Sequence, residues 1–395
     1  MIVKKMQALG EKRSVIREIF EYGNARRKEI GAENVFDFSL GNPSVPAPDA
    51  VGEALIKMLQ ESDSVSLHGY TSAPGDLGVR ASIAEYLNKT YNVGAKPSDL
   101  YMTVGAAASL SACLSAVAGA GEEVVVFAPF FPEYRVFTEQ TGASLRIVPA
   151  DETNFEINFD ALADALSEKT AAVIINSPNN PSGAVISEAS IIRLAEILSA
   201  AEEKYGHVIY LIADEPYREL VYDDIAVPYV TKYYDDTLVC YSFSKSLSLP
   251  GERIGYVLVS PTAKEHDAVY AAICGAGRAL GYVCAPSLFQ KLLPHCLGMV
   301  SDLATYKLNR DLLYEGLSSS GFTLKKPDGA FYLFMKSPEA DANAFCERAK
   351  KYELLLVPGD DFACPGYVRI AYCVTTEQIR RSLPAFAALA KEYSL

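Results

Sequence analysis

The chain has 395 residues, half of them hydrophobic and 22% charged, with a formal net charge of −13. That length buries a sizeable core and predicts two domains, while the acidic balance excludes wrapping a nucleic acid or coating an anionic membrane. Eight cysteines without a CxxC pair and four scattered histidines point to reduced, buried thiols and against a dedicated metal site. No run of about 18 apolar residues occurs, so no membrane helix is expected. The opening MIVKKMQALG lacks the apolar stretch of a signal peptide, which makes the cytoplasm the expected compartment.

In chain order, residues 1–35 are charged and helix-prone and read as an arm rather than a core element. A short strand over 35–40 runs into GNPSVPAP (residues 41–48), where prolines and glycine forbid regular structure. Such a loop is either a linker or rigid binding backbone. A helix is expected over 50–60, then a polar loop containing Tyr70, then a helical face at Val79, Ile83 and Leu87. A strand over 100–104 ends at Gly105, and Ala106, Ala107, Ala108 and Ser109 open a helix of small residues. Small residues there let an anion approach bare backbone N–H groups, or let helices pack closely.

From residue 123 the alternation is regular. Strand-like runs fall at 123–127, 144–148, 171–176, 207–213, 237–241 and 254–259, with amphipathic helices between several. Ser187 is placed as an N-cap, with Ile191, Leu194, Ala195 and Leu198 on one face. Continuous apolar strands joined by helices predict a mostly parallel α/β sheet covered on both faces. In such sheets ligands bind at the carboxyl ends of strands, and these ends carry the unusual residues. One leads to Phe131, one to Asn176 and Asn180, one to Asp214 and Tyr217, and one to Ser242, Ser244 and Lys245. Each has a plain account as core, turn or cap. Four coincident strand ends offering ring, amide, carboxylate and amine in one crevice form a candidate site.

Within YSFSKSLSLPGERIGY (residues 241–256) a single lysine lies between two apolar runs. Its ammonium is costly to desolvate without a partner, and a lowered pKa makes it a nucleophile or base, above all a Schiff-base former. The serines and Arg253 are what a phosphate needs; the plain alternative is a solvated turn. Beyond residue 286 the pattern turns to α+β, with strands over 329–334 and 354–357 and another within GYVRIAY (residues 366–372). Arg369 sits inside that last strand and requires an anion, either a ligand or a structural carboxylate.

Taken in order, NSPNNPSG, ADEPY, SFSK with Arg253 eight residues on, and GYVRIAY make the chain resemble the class I aminotransferases of the aspartate aminotransferase type, over about residues 38–372. The resemblance implies fold type I: a large domain whose mostly parallel seven-stranded-type sheet is covered by helices, and a smaller α+β domain. The division is an arm and part of the small domain at 1–47, the large domain at 48–290 and the small domain at 291–395. It implies pyridoxal 5′-phosphate held by Lys245 as a Schiff base, with Lys245 then moving a proton at the substrate Cα. Asp214 would pair with the ring nitrogen, Tyr217 and Asn180 would bond the ring oxygen, and Phe131 would stack on the ring face, where relatives often carry a larger aromatic. Ser242, Ser244, Arg253 and the backbone of Gly105, Ala106 and Ala107 would hold the phosphate. Ala106 and Ala107 lack the hydroxyl common in that loop.

Arg369 would clamp the substrate α-carboxylate with Asn180 and Gly41, and Tyr70 would cross a homodimer interface to the neighbour's phosphate. Amino-group transfer from an L-amino acid to a 2-oxo acid is expected, with aspartate and 2-oxoglutarate as the first pair and Arg278 a candidate for a distal carboxylate. The alternatives are a carbon–sulfur β-lyase on the same scaffold and a regulator that senses the cofactor without turnover.

Overall fold

The computed structural model describes residues 2–11 and 15–395. Among the described residues twelve strands are formed: β1 Phe36–Asp37, β2 Leu100–Thr103, β3 Glu123–Phe127, β4 Ser144–Val148, β5 Thr170–Asn176, β6 Tyr210–Asp214, β7 Thr237–Ser242, β8 Gly255–Val259, β9 Tyr332–Lys336, β10 Leu354–Leu355, β11 Val357–Pro358 and β12 Tyr367–Ala371. Seven of them build one sheet in the order β2-β8-β7-β6-β5-β3-β4. Strands β7, β6, β5, β3 and β4 run parallel, and β8 is antiparallel to both β7 and β2. The central strands are apolar throughout because both faces are covered, and the two-residue period sorts their side chains into two cores. Val173 and Ile175 face the helices Leu77–Tyr91 and Glu188–Tyr205, where Ile83, Leu87, Ile191 and Leu194 are buried. Ala172 and Ile174 face the opposite layer, with Leu110 and Leu114 of the helix Ala106–Val117 and Ile273 of the helix His266–Leu280.

The second body is built on the antiparallel sheet β11-β12-β9 and the parallel pair β1-β10. Helices Leu303–Ser319, Ala342–Ala349 and Thr376–Glu392 cover them around Phe331, Leu333, Phe345 and Phe386. Phe38 and Val45 join this core, so the chain enters it before the large sheet begins. Leu292, Leu293 and Cys296 still belong to the first core.

Two expectations are corrected. Within the stretch read as an arm rather than a core element, the helix Val15–Ile30 does enter a core, Ile19 packing with Val35, Leu355, Val357 and Phe362, whereas Lys4–Glu11 buries no residue. The strand expected from residue 329 starts at Tyr332, because Ala330 adopts φ 56° and donates its N–H to the Leu220 carbonyl (2.8 Å), which turns it toward the loop after β6. Ser187 caps its helix by accepting from the Ser190 N–H, as the sequence predicts. All eight cysteines are free, and among the described residues no helix is long and apolar enough to cross a membrane.

The antiparallel β8 matters for the site. Its first residue, Gly255, lies opposite both Ser242 of β7 and Thr103 of β2. A Cβ there would meet the Tyr241 carbonyl at 2.3 Å and Gly105 Cα at 3.1 Å, both backbone atoms. Gly255→Ala should therefore cost about 1–3 kcal/mol by overpacking, measured as a lower urea midpoint at unchanged slope; an unchanged midpoint would show that the close approach is dispensable.

Candidate active site

Parallel pairing sets Asn176 opposite Asp214, and Asp214 opposite Cys240, so β5, β6 and β7 finish side by side. Ser242 ends β7 and caps the short turn Phe243–Ser246, accepting from the Ser244 N–H, and this turn carries Lys245. Because β8 runs the other way, the chain just before it, including Arg253, arrives at the same edge. There it meets Gly105, the residue between β2 and the helix Ala106–Val117. The result is a cleft of about 380 Å³ lined by Gly41, Ala106, Phe131, Asn180, Asp214, Tyr217, Ser242, Ser244, Lys245, Arg253 and Arg369.

At one end of the cleft lies a cradle for an anion. Gly105 has φ 91°, a conformation that favours glycine, and a Cβ on it would come within 2.6 Å of Arg253 Nη2 and push the guanidinium from its present place. Arg253 is itself in the left-handed region at φ 53°, with Nη1 donating to the Pro250 carbonyl at 2.8 Å. Ala106 and Ala107 line the cleft at the helix's first turn, whose earliest intrahelical donor is Ala108. The Ser242 and Ser244 hydroxyls, 2.7 Å apart, complete a set of N–H, O–H and guanidinium donors suited to a phosphate.

At the floor, Asp214 is buried. Its Oδ2 accepts from the Tyr134 hydroxyl at 2.5 Å and its Oδ1 has no partner. Burial raises its pKa to about 7; the Tyr134 bond opposes this and the charge of Glu215 adds to it. A buried carboxylate oxygen without a donor awaits a positively charged N–H. Asn176 donates to the Asp214 backbone carbonyl (2.8 Å) and accepts the Asn180 N–H (2.7 Å), which ties that loop to the strand end.

Lys245 Nζ donates to the Gly41 carbonyl at 2.7 Å and lies 5.3 Å from the Phe331 ring centroid. Burial lowers its pKa to about 8, with Cys373 opposing and Arg253 and Arg369 adding. Arg369, on β12, is 2% exposed and held between the Tyr332 and Phe362 rings at 4.7 and 5.0 Å. It donates from Nη2 to the Ser39 carbonyl (2.5 Å) and from Nη1 to Asn180 Oδ1 (3.2 Å). Its Nε is unpartnered, and no carboxylate among the described residues pairs with it. The structural ion pair that was the plain alternative for Arg369 is thus not formed.

Two sequence candidates stand apart from this cleft. Tyr70 is 98% exposed, and Arg278 is exposed in the last turn of its helix. Conversely, Tyr134, Tyr332, Ile16, Glu133 and Asp361 belong to the site or its rim without having been singled out. Tyr134 follows Phe131 by one helical turn in PFFPEY, a spacing that could have found it. Glu133 belongs to the same stretch, while Tyr332, Ile16 and Asp361 arrive through packing between distant segments. A wider depression of about 1150 Å³ opens at the other end of the strands, but its central charges are spent on each other, Lys264 pairing with Glu202 and Asp236.

Fold and cleft together define a fold type I aminotransferase. The family model for aminotransferase class I and II matches residues 33–386, and the chain belongs to that family, which works with pyridoxal phosphate. The crystal structure of an amino transferase from Eubacterium rectale superposes with a TM-score of 0.98 at 56% identity, covering all of both chains. The aspartate aminotransferase of Thermotoga maritima is 30% identical over 359 residues, 89% of this chain and 90% of that one. A crystal structure of a Thermotoga maritima aspartate aminotransferase superposes with a TM-score of 0.86 at 27% identity, covering 98% of this chain and 99% of that one. The chain is a class I aminotransferase of the aspartate aminotransferase-like kind, an enzyme that transfers amino groups.

The unpartnered Asp214 oxygen makes a stability prediction. In the protein free of cofactor, a carboxyl whose folded pKa is raised binds its proton more tightly than in the unfolded chain. Stability is therefore lost as pH rises from about 4 through about 7. Asp214→Asn should stabilise the cofactor-free protein at pH 8 by on the order of 2–4 kcal/mol and keep less than half of that advantage at pH 5. Thermal melts at both pH values check this, and an equal effect at each would contradict it.

Proposed function

We propose that this cleft binds pyridoxal 5′-phosphate and moves an amino group from an L-amino acid to a 2-oxo acid, with aspartate and 2-oxoglutarate as the first pair. The observation that carries the proposal is the meeting, in one cleft, of a desolvated amine at Lys245, an unpartnered buried oxygen on Asp214 and a carboxylate-free Arg369. When bound, the ring supplies a sink for the electrons left on the substrate Cα. Asp214 is proposed to meet the ring nitrogen, and a negative charge there favours the protonated ring. Tyr217 and Asn180 are proposed to bond the ring oxygen and Phe131 to cover the ring. Ser242, Ser244, Arg253 and the N–H groups of Gly105, Ala106 and Ala107 would take the phosphate.

The chain's own contribution to the chemistry follows from burial. Lys245, neutral in part near pH 8, is poised both to condense with an aldehyde and to accept a proton from the substrate Cα. Arg369 presents a planar fork for the α-carboxylate, assisted by Asn180 and Gly41. The names of several relatives support the aspartate pair. A dicarboxylate requires a further cation, and among the described residues of one chain the cations lining the cleft are Lys245, Arg253 and Arg369.

We place that cation, with Arg278 as the candidate, and the Tyr70 hydroxyl in the neighbour's cleft of a cytoplasmic homodimer. Ile56, Leu59, Val65 and Leu77 are exposed along with Tyr70, an apolar set suited to a covered face.

The test is a panel of amino donors with 2-oxoglutarate, wild type against Lys245→Ala. Wild type should be yellow and turn over at least one donor, and the variant should lose about 10²–10⁴-fold or more. Full activity in the variant would overturn the assignment. Pyruvate released from cystathionine without any acceptor would instead favour the β-lyase.

A further inference from the structure

Tyr332, the first residue of β9, is buried beside three parts of the cleft at once. Arg369 of β12 pairs across the ladder with Phe334, so Tyr332, two residues before Phe334, is its diagonal neighbour on the same face. This fixes the Tyr332 ring against the guanidinium, 4.7 Å from Arg369 Cζ to the ring centroid. At its other end the Tyr332 hydroxyl lies 3.1 Å from the Tyr217 hydroxyl, with the two rings edge-to-face at 5.8 Å and 80°. The hydroxyl fits only because residue 41 is glycine: a Cβ there would lie 1.9 Å from Tyr332 Oη. The same Gly41 accepts the Lys245 amine.

Burial raises both phenols, Tyr332 to about 12 against the opposing pull of Arg369 and Tyr217, and Tyr217 further. Both therefore keep their protons at neutral pH, and the charged or titratable groups around Tyr332 are Arg369, Tyr217, Lys245 and Cys373. With both hydroxyls protonated, one must donate to the other. If Tyr217 spends its proton on a ligand, Tyr332 becomes the donor, and a chain of two hydrogen bonds strengthens the outer one. Asn180 touches Arg369 directly at 3.2 Å, whereas the contact route from Tyr217 to Arg369 runs through the Tyr332 hydroxyl and ring, alongside the through-space pull of the guanidinium charge on the Tyr217 phenol.

We propose that Tyr332 is a positioning residue that fixes the Tyr217 hydroxyl with its own hydroxyl and the Arg369 guanidinium with its ring, so that a carboxylate taken up by Arg369 is felt at Tyr217. The role of Tyr217 toward the cofactor rests on the function proposed above. Tyr332→Phe removes the first contact and keeps the second; Tyr332→Leu removes both.

The experiment is a pH titration of the visible absorbance of the holoenzyme for wild type, Tyr332→Phe, Tyr217→Phe and the double variant, together with KM and kcat for the best donor of the panel. Tyr332→Phe should move the titration midpoint upward by about 0.5 unit or more while KM stays within about threefold. The double variant should titrate like Tyr217→Phe alone, and Tyr332→Leu should raise KM about fivefold or more. A Tyr332→Phe midpoint within 0.1 unit of wild type, or additive shifts in the double variant, would overturn the proposal.

If wild type takes up no chromophore, the proposed function fails, and the cofactor-free proteins decide the pairing separately. Melting-temperature losses of Tyr217→Phe and Tyr332→Phe that are not additive uphold it, and additive losses overturn it.

Discussion

Removing charged groups from water without giving each a full set of partners is the constraint on which this molecule depends. The cleft holds a lysine that donates to a backbone carbonyl, a carboxylate with one oxygen satisfied and one bare, and an arginine with an unpartnered Nε. Each arrangement is costly in the free protein. Under the proposed function they are matched to an aldehyde, a positively charged ring N–H and a substrate carboxylate. The fold tolerates the cost because two large apolar cores on either side of the seven-stranded sheet keep the strand ends rigid.

The geometry is also a consequence of joining two bodies. Parallel strands supply the carboxylate, the amine and the hydroxyls, and the antiparallel β8 brings Arg253 to the same edge. Arg369 comes from the second body, which meets the first where the Phe130 N–H donates to the Phe362 carbonyl (3.2 Å). Gly41, from the segment that enters the second core at Phe38, reaches back to accept the Lys245 amine. The site therefore exists only when residues separated by more than 300 positions are packed together.

This explains what was legible beforehand. Strands β3 and β4 and the helix capped by Ser187 follow from local pattern, since hydrophobic period and capping are properties of neighbouring residues. Residues at strand ends, such as Asp214 and Lys245, stand out because a charged group beside an apolar run is locally anomalous. Tyr332 and Asp361 are hidden, because a tyrosine in an apolar strand and an acid in a turn look ordinary until a distant segment faces them. The helix Val15–Ile30 was underrated for the same reason: its buried positions, Ile19 and Gly23, are too few to mark a strong stripe. Tyr70 is the opposite case, conspicuous in the family pattern and bare on a single chain.

Borohydride reduction of the protein soaked in pyridoxal 5′-phosphate, followed by peptide mass mapping, tests the central claim most directly. The account predicts a single reduced adduct on the peptide containing Lys245. An adduct on another lysine, or none at all, would contradict it.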